Sequence, residues 1–101
     1  MRLIVFFDLP VKSKAERREA TRFRKYLLKD GYDMLQLSVY ARICRGQEAV
    51  DKHYGRLMCQ LPPTGCVRVL QVTEQQYGRM KIVVGKAQPA EKVAPVQLLL
   101  L

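Results

Sequence analysis

Hydrophobic and polar positions change period several times along this chain, and each period predicts an element. Leu3 to Phe7 is an unbroken apolar run that ends on Asp8-Leu9-Pro10. Such a run reads as a strand covered on both faces, and Pro10, lacking an N–H, cannot prolong a ladder. Asp8 is thereby held at a sheet edge, where folds place groups that meet ligands. Ser13-Lys14-Ala15-Glu16 is a capping box, and it starts a helix that runs to Lys29 or Asp30 with Gly31 in the left-handed position beyond. On that helix Ala20, Phe23 and Leu27 share one side, while Arg18, Arg22, Lys25 and Lys29 line the opposite side as a basic rail.

From residue 33 to 43 the pattern alternates, with Leu35, Leu37, Val39, Ala41 and Ile43 on one face and Gln36, Ser38, Tyr40 and Arg42 on the other. This predicts a strand covered on one face, either one long strand bent near Ser38 or two short ones. After a loop at Gly46, Val50, Tyr54, Leu57, Met58 and Leu61 recur at helical spacing up to Pro62-Pro63. Residues 66–72 read as a strand, 73–78 as a turn or short helix, and 80–84 as a further strand. Two helices on one face of a mainly antiparallel sheet is an α+β architecture, and the ferredoxin-like (βαββαβ) sandwich with an additional C-terminal strand fits it best. Residues 1–85 form this domain, and residues 86–101 a linker-like stretch ending in Leu98 to Leu101. Too short to span a membrane, the leucine tail is expected to dock on a second chain.

Charge changes the picture next. The 101-residue chain has a formal net charge of +9 while 49% of its residues are hydrophobic, so it is one folded basic domain, not a disordered basic tail. That excess calls for a polyanionic partner, nucleic acid before anionic membrane, because no lipidation signal or amphipathic membrane helix is present. After Arg2 the apolar run is too short for a secretory leader. Cys44, Cys59 and Cys66 lack Cys-x-x-Cys spacing and His53 is the only histidine, which argues against zinc and against a disulfide framework. Reduced thiols and a cytoplasmic location follow. A nucleophile elbow, a Walker A loop and Gly-x-Gly-x-x-Gly are all missing, so any chemistry here needs a carboxylate and a hard metal.

Read alone, Asp8 serves equally as a metal ligand or as an Asx-type turn with the backbone near Val11 or Lys12. The rail is less ambiguous. Arg18–Arg22, Arg22–Lys25 and Lys25–Lys29 are like-charge neighbours at i,i+3 or i,i+4, mildly destabilising unless something negative answers them, which favours phosphate contact over bare solvation. Ser38 either supports the Asp8 site or is an ordinary strand serine. Tyr40, Tyr54 and Phe23 read as core or interface residues, and His53 is given no catalytic role.

The segments Phe6-Phe7-Asp8-Leu9-Pro10, Arg17 with Phe23-Arg24, Gly31-Tyr32, Gln36-Leu37-Ser38-Val39-Tyr40 and Val72-Thr73, in that order and spacing, resemble the small CRISPR-associated endonuclease family of the spacer-acquisition module. The resemblance covers residues 1 to about 85. Phe7 stands where many members carry tyrosine, and Tyr40 where many carry phenylalanine. It implies a ferredoxin-like homodimer in which two copies of Asp8 face each other across the dyad and share Mg2+. It also implies a scaffold for the CRISPR integrase around double-stranded DNA; the basic positions of the first helix, Lys14, Arg17, Arg18, Arg22, Lys25 and Lys29, are the nucleic-acid-binding set that the charge pattern offers for that DNA. A free-standing toxin-type ribonuclease of the same fold is the alternative. A third, an RNA-recognition module, lacks its aromatic signature at Cys66-Val67-Arg68-Val69-Leu70.

Overall fold

The computed structural model describes residues 1–86, and its fold is organised by the first apolar run. That run forms β1 (Arg2–Asp8), which is paired on both sides as its unbroken hydrophobicity requires. The chain continues through α1 (Lys14–Lys29), β2 (Asp33–Gln36), β3 (Val39–Ile43), α2 (Gln47–Met58), β4 (Cys66–Val72) and a short α3 (Glu74–Gly78). The sheet has the order β2-β3-β1-β4, with β1 antiparallel to both neighbours, so that Val5 lies opposite Tyr40 and Val69. This is the ferredoxin-like arrangement expected from the sequence.

Alternation along β1 builds two layers. Leu3, Val5 and Phe7 face the helices and pack with Phe23, Leu27, Val50 and Leu57 in the main core. The Phe7 ring meets Phe23 edge-on at 5.2 Å, an arrangement aromatic quadrupoles favour. Ile4 points the other way and joins Ala41 and Tyr77 in a second cluster beneath α3. The Ser13 hydroxyl accepts from the Glu16 N–H at 3.0 Å and Glu16 accepts from the Ser13 N–H at 2.8 Å, so the capping box forms as read. Gly31 has φ +91, and the Arg42 guanidinium lies over it while donating to the Asp30 carbonyl.

One open alternative is decided in favour of two short strands, and two expectations are corrected. Residues 33–43 form a hairpin turning at residues 37–38, and a register shift between Met34 and Gln36 breaks the alternation. Leu37 is consequently at the turn and exposed, while Tyr40, on the polar face of the alternation but read as a core or interface residue, is buried against Phe7 in the main core. Residues 80–84 are not a strand among the described residues. They leave α3 over the second face, where they line a hollow with Phe6, Leu35 and Val39, and side chains there offer no ladder to join. The leucine tail lies outside the described residues.

Ion pairs at two carboxylates, Glu74 and Asp30, pin the periphery. Arg2, 3% exposed, makes a bidentate pair with Glu74 at 2.6 and 3.0 Å and stacks over the Tyr77 ring at 4.0 Å, clamping α3 to the sheet. The Arg2 hydrogen bonds, only partly opposed by burial, hold the Glu74 carboxyl below its ordinary range. Burial disfavours the Asp30 carboxylate, but hydrogen bonds from His53 at 2.8 Å and Arg56 at 3.0 Å outweigh it and keep that group low as well. Both carboxylates are depressed on folding, so their stabilisation is full above the unfolded value and is lost as pH falls through the folded one. Melting temperature should therefore decline on acidification below about pH 4.5. In Glu74→Gln the decline should be shallower, starting from a stability lower by about 2 kcal/mol for a charge-assisted pair, as read by denaturation across pH.

Candidate functional site

Asp8 closes β1 opposite Cys66, two residues along from Phe6, which is opposite Arg68. Directly opposed residues on neighbouring strands share a face, so Asp8, Phe6, Cys66 and Arg68 all lie on the side of the sheet away from α1 and α2. With Ser38 and Val39 they line a shallow cleft. The Phe7 N–H donates to the Ser38 carbonyl at 3.0 Å, which ties the β2–β3 turn to the end of β1. Ser38 thus meets the end of β1 through its backbone. Phe7 itself is buried on the helix side, so a phenol at that position would not meet the Asp8 carboxylate.

Gly65 packs closely on the backbone of Asp8. Its φ of +96 lies in the left-handed region, and an added Cβ would fall 2.7 Å from the Asp8 carbonyl oxygen and 3.2 Å from the Leu9 Cα. Backbone cannot yield as a flexible side chain can. Gly65→Ala is expected to lose about 2 kcal/mol of stability and to displace Asp8, reducing any Asp8-dependent activity even below the melting transition. Activity and thermal denaturation of this one variant check both effects.

The Asp8 carboxylate is exposed and has no hydrogen-bond or ion-pair partner among the described residues, where no cluster of three or more His, Cys, Asp or Glu could hold a metal. The Asx turn is not formed. A free hard-oxygen donor on a rigid strand end fits half of a magnesium site, since Mg2+ is held by one or two carboxylates plus waters and substrate phosphate. The neighbouring Cys66 thiol is too soft to supply the rest.

The structure gathers Lys14, Arg17, Arg18, Arg22 and Lys25 around Thr21 on the solvent side of α1; Lys29 lies in the last turn of the same helix. They are not equivalent. Arg22 is bound to Glu19 at 3.0 Å and donates to Gln60 at 3.1 and 3.2 Å, fastening α1 to the end of α2. Arg17 donates to the Val11 and Lys12 carbonyls, organising the turn into α1. Lys14, Arg18, Lys25 and Lys29 have no partner among the described residues, so their charge is available to phosphate. Arg24 points inward instead, over the Phe7 ring at 5.4 Å. His53 is buried in its contact with Asp30, a structural use.

A family model described as CRISPR associated protein Cas2 matches residues 1–80. The chain is 60% identical over 85 residues to the CRISPR-associated endoribonuclease Cas2 of Acidovorax ebreus, covering 84% of this chain and 83% of that one. It is 42% identical over 98 residues to the protein of the same name from Parvibaculum lavamentivorans, covering 97% of each. Among solved structures it resembles Streptococcus pyogenes Cas2 at pH 6.5, with a TM-score of 0.62, 21% identity, and coverage of 83% of this chain and 100% of that chain. At that identity the likeness speaks for the fold.

Proposed function

Because the chain belongs to the CRISPR associated protein Cas2 family, we propose that it is a homodimeric, duplex-DNA-binding component of CRISPR spacer acquisition. It works with the CRISPR integrase and carries a magnesium-dependent phosphodiesterase site at Asp8. The relatives bear the name endoribonuclease, so the family is one of hydrolases, and RNA is the strand we assign to that site. The observation that carries the reading is the exposed, unpartnered Asp8 carboxylate on a backbone that Gly65 approaches closely and that the Phe7–Ser38 hydrogen bond ties to the hairpin.

One chain offers half of a metal site, and a twofold axis supplies the second carboxylate. The exposed Ile82, Val83 and Val84 support a second copy on this side of the molecule. Asp8 from each chain would hold Mg2+, which when bound polarises a phosphoryl oxygen and readies a water for attack. Asp8 orients the scissile phosphate relative to the cleft, whose floor Phe6 and Val39 line. Paired carboxylates cannot both ionise cheaply, so metal affinity should rise with pH. The basic rail grips duplex backbone without reading bases, as phosphate contacts do.

Sedimentation should give about twice the chain mass of 11.7 kDa, and an integrase expressed from the same source should copurify. A clean monomer at micromolar concentration would remove the shared-metal site, and failure of copurification would remove the acquisition role.

A further inference from the structure

Arg68 is unusual for its surroundings. On the outward face of β4 it is the only charged side chain, alternating with Cys66, Leu70 and Val72. It is exposed, and no carboxylate or carbonyl pairs with it among the described residues. Register places it diagonally from Asp8, two residues along the strand from the position directly opposite, and both line one cleft. Diagonal neighbours on adjacent strands are about 7–8 Å apart, within reach of a long side chain. Cation and carboxylate thus stand across a gap neither closes alone.

We infer that Arg68 holds the substrate phosphate at the Asp8 site, its planar guanidinium donating to non-bridging oxygens of the strand to be cut. The inference rests on Asp8 being the hydrolytic centre and adds the group that positions the substrate there. Arginine suits this role because its fork matches two phosphate oxygens at once, which a lysine ammonium cannot do. The strand backbone, held by the β1 ladder over its whole length, keeps the guanidinium in register with Asp8. The rail on α1 lies on the far side of the sheet and cannot perform this task.

The test uses the full chain and a single-stranded RNA oligonucleotide. Arg68→Ala should lower kcat/KM for cleavage about 10- to 100-fold, the range for losing a charge-assisted hydrogen bond. In an Asp8→Asn background with EDTA, where nothing is cut, it should also weaken oligonucleotide binding and reduce the slope of log K against log salt by about 0.7. Arg68→Lys should restore the slope but only part of kcat/KM. Sedimentation and melting temperature should not change. Unaltered binding and salt slope in Arg68→Ala would overturn the inference, and so would a loss of the dimer, which would make Arg68 an interface residue. Persistent cleavage by Asp8→Asn would refute the hydrolytic assignment of Asp8 instead, and the EDTA binding measurements would still decide whether Arg68 grips phosphate.

Discussion

Asp8→Asn should abolish metal-dependent cleavage, by on the order of 10³-fold or more, while leaving the fold intact. Asparagine keeps the shape and one acceptor oxygen of the side chain but removes the charge that holds magnesium. The fold should not notice, because the carboxylate is exposed and makes no bond within the described residues. Dimerisation, integrase association and spacer acquisition are expected to persist, since a scaffold needs the rail and the second copy, not the ion. Acquisition lost together with cleavage, in a variant still dimeric and integrase-bound, would make hydrolysis essential to the biological role. Cleavage that survives, in a preparation shown free of host nuclease, would move the active centre elsewhere.

The second large effect concerns duplex binding. Replacing Lys14, Arg18 and Lys25 together by alanine should weaken binding to unrelated duplexes equally and lower the slope of log K against log salt by roughly 2.7, at about 0.9 per phosphate contact. These three are chosen because nothing in the described residues engages them. Arg22, equal to them by sequence spacing, is committed to Glu19 and Gln60, so Arg22→Ala should cost stability where α1 meets α2 and change the slope less. Filter binding or fluorescence anisotropy across a salt series, with thermal denaturation alongside, separates the two kinds of residue. An unchanged slope in the triple variant would reduce the rail to a solvated helix face.

Much of this was legible because local signals and packing agree. The capping box at Ser13 and the left-handed Gly31 are short-range effects, and α1 is where they put it, whereas α2 ends at Met58, short of the Leu61 that the spacing carried up to Pro62. The hairpin was harder. Its alternation is regular through the turn, and only the register shift after Met34 sends Tyr40 inward and leaves Leu37 outside. Residues 80–84 have strand composition, but a strand exists only where another backbone accepts it. Thr73-x-x-Gln76 is a capping box that could have settled α3 from sequence. Of the candidate site, Asp8 and Ser38 were legible. Gly65, Cys66 and Arg68 reach it through the β1–β4 register, and a pairing between residues so far apart in the chain leaves no mark on local periodicity.

The sheet stands between the α1 rail and the Asp8 cleft. Substitutions on its two sides share no partner, and free energies of separated, unconnected sites add. Combining the rail variant with Asp8→Asn should then give the sum of their separate effects on duplex affinity, with no coupling between them. A lineage could let its hydrolytic side decay to nothing and keep its grip on DNA unaltered, or sharpen either one, without renegotiating the other.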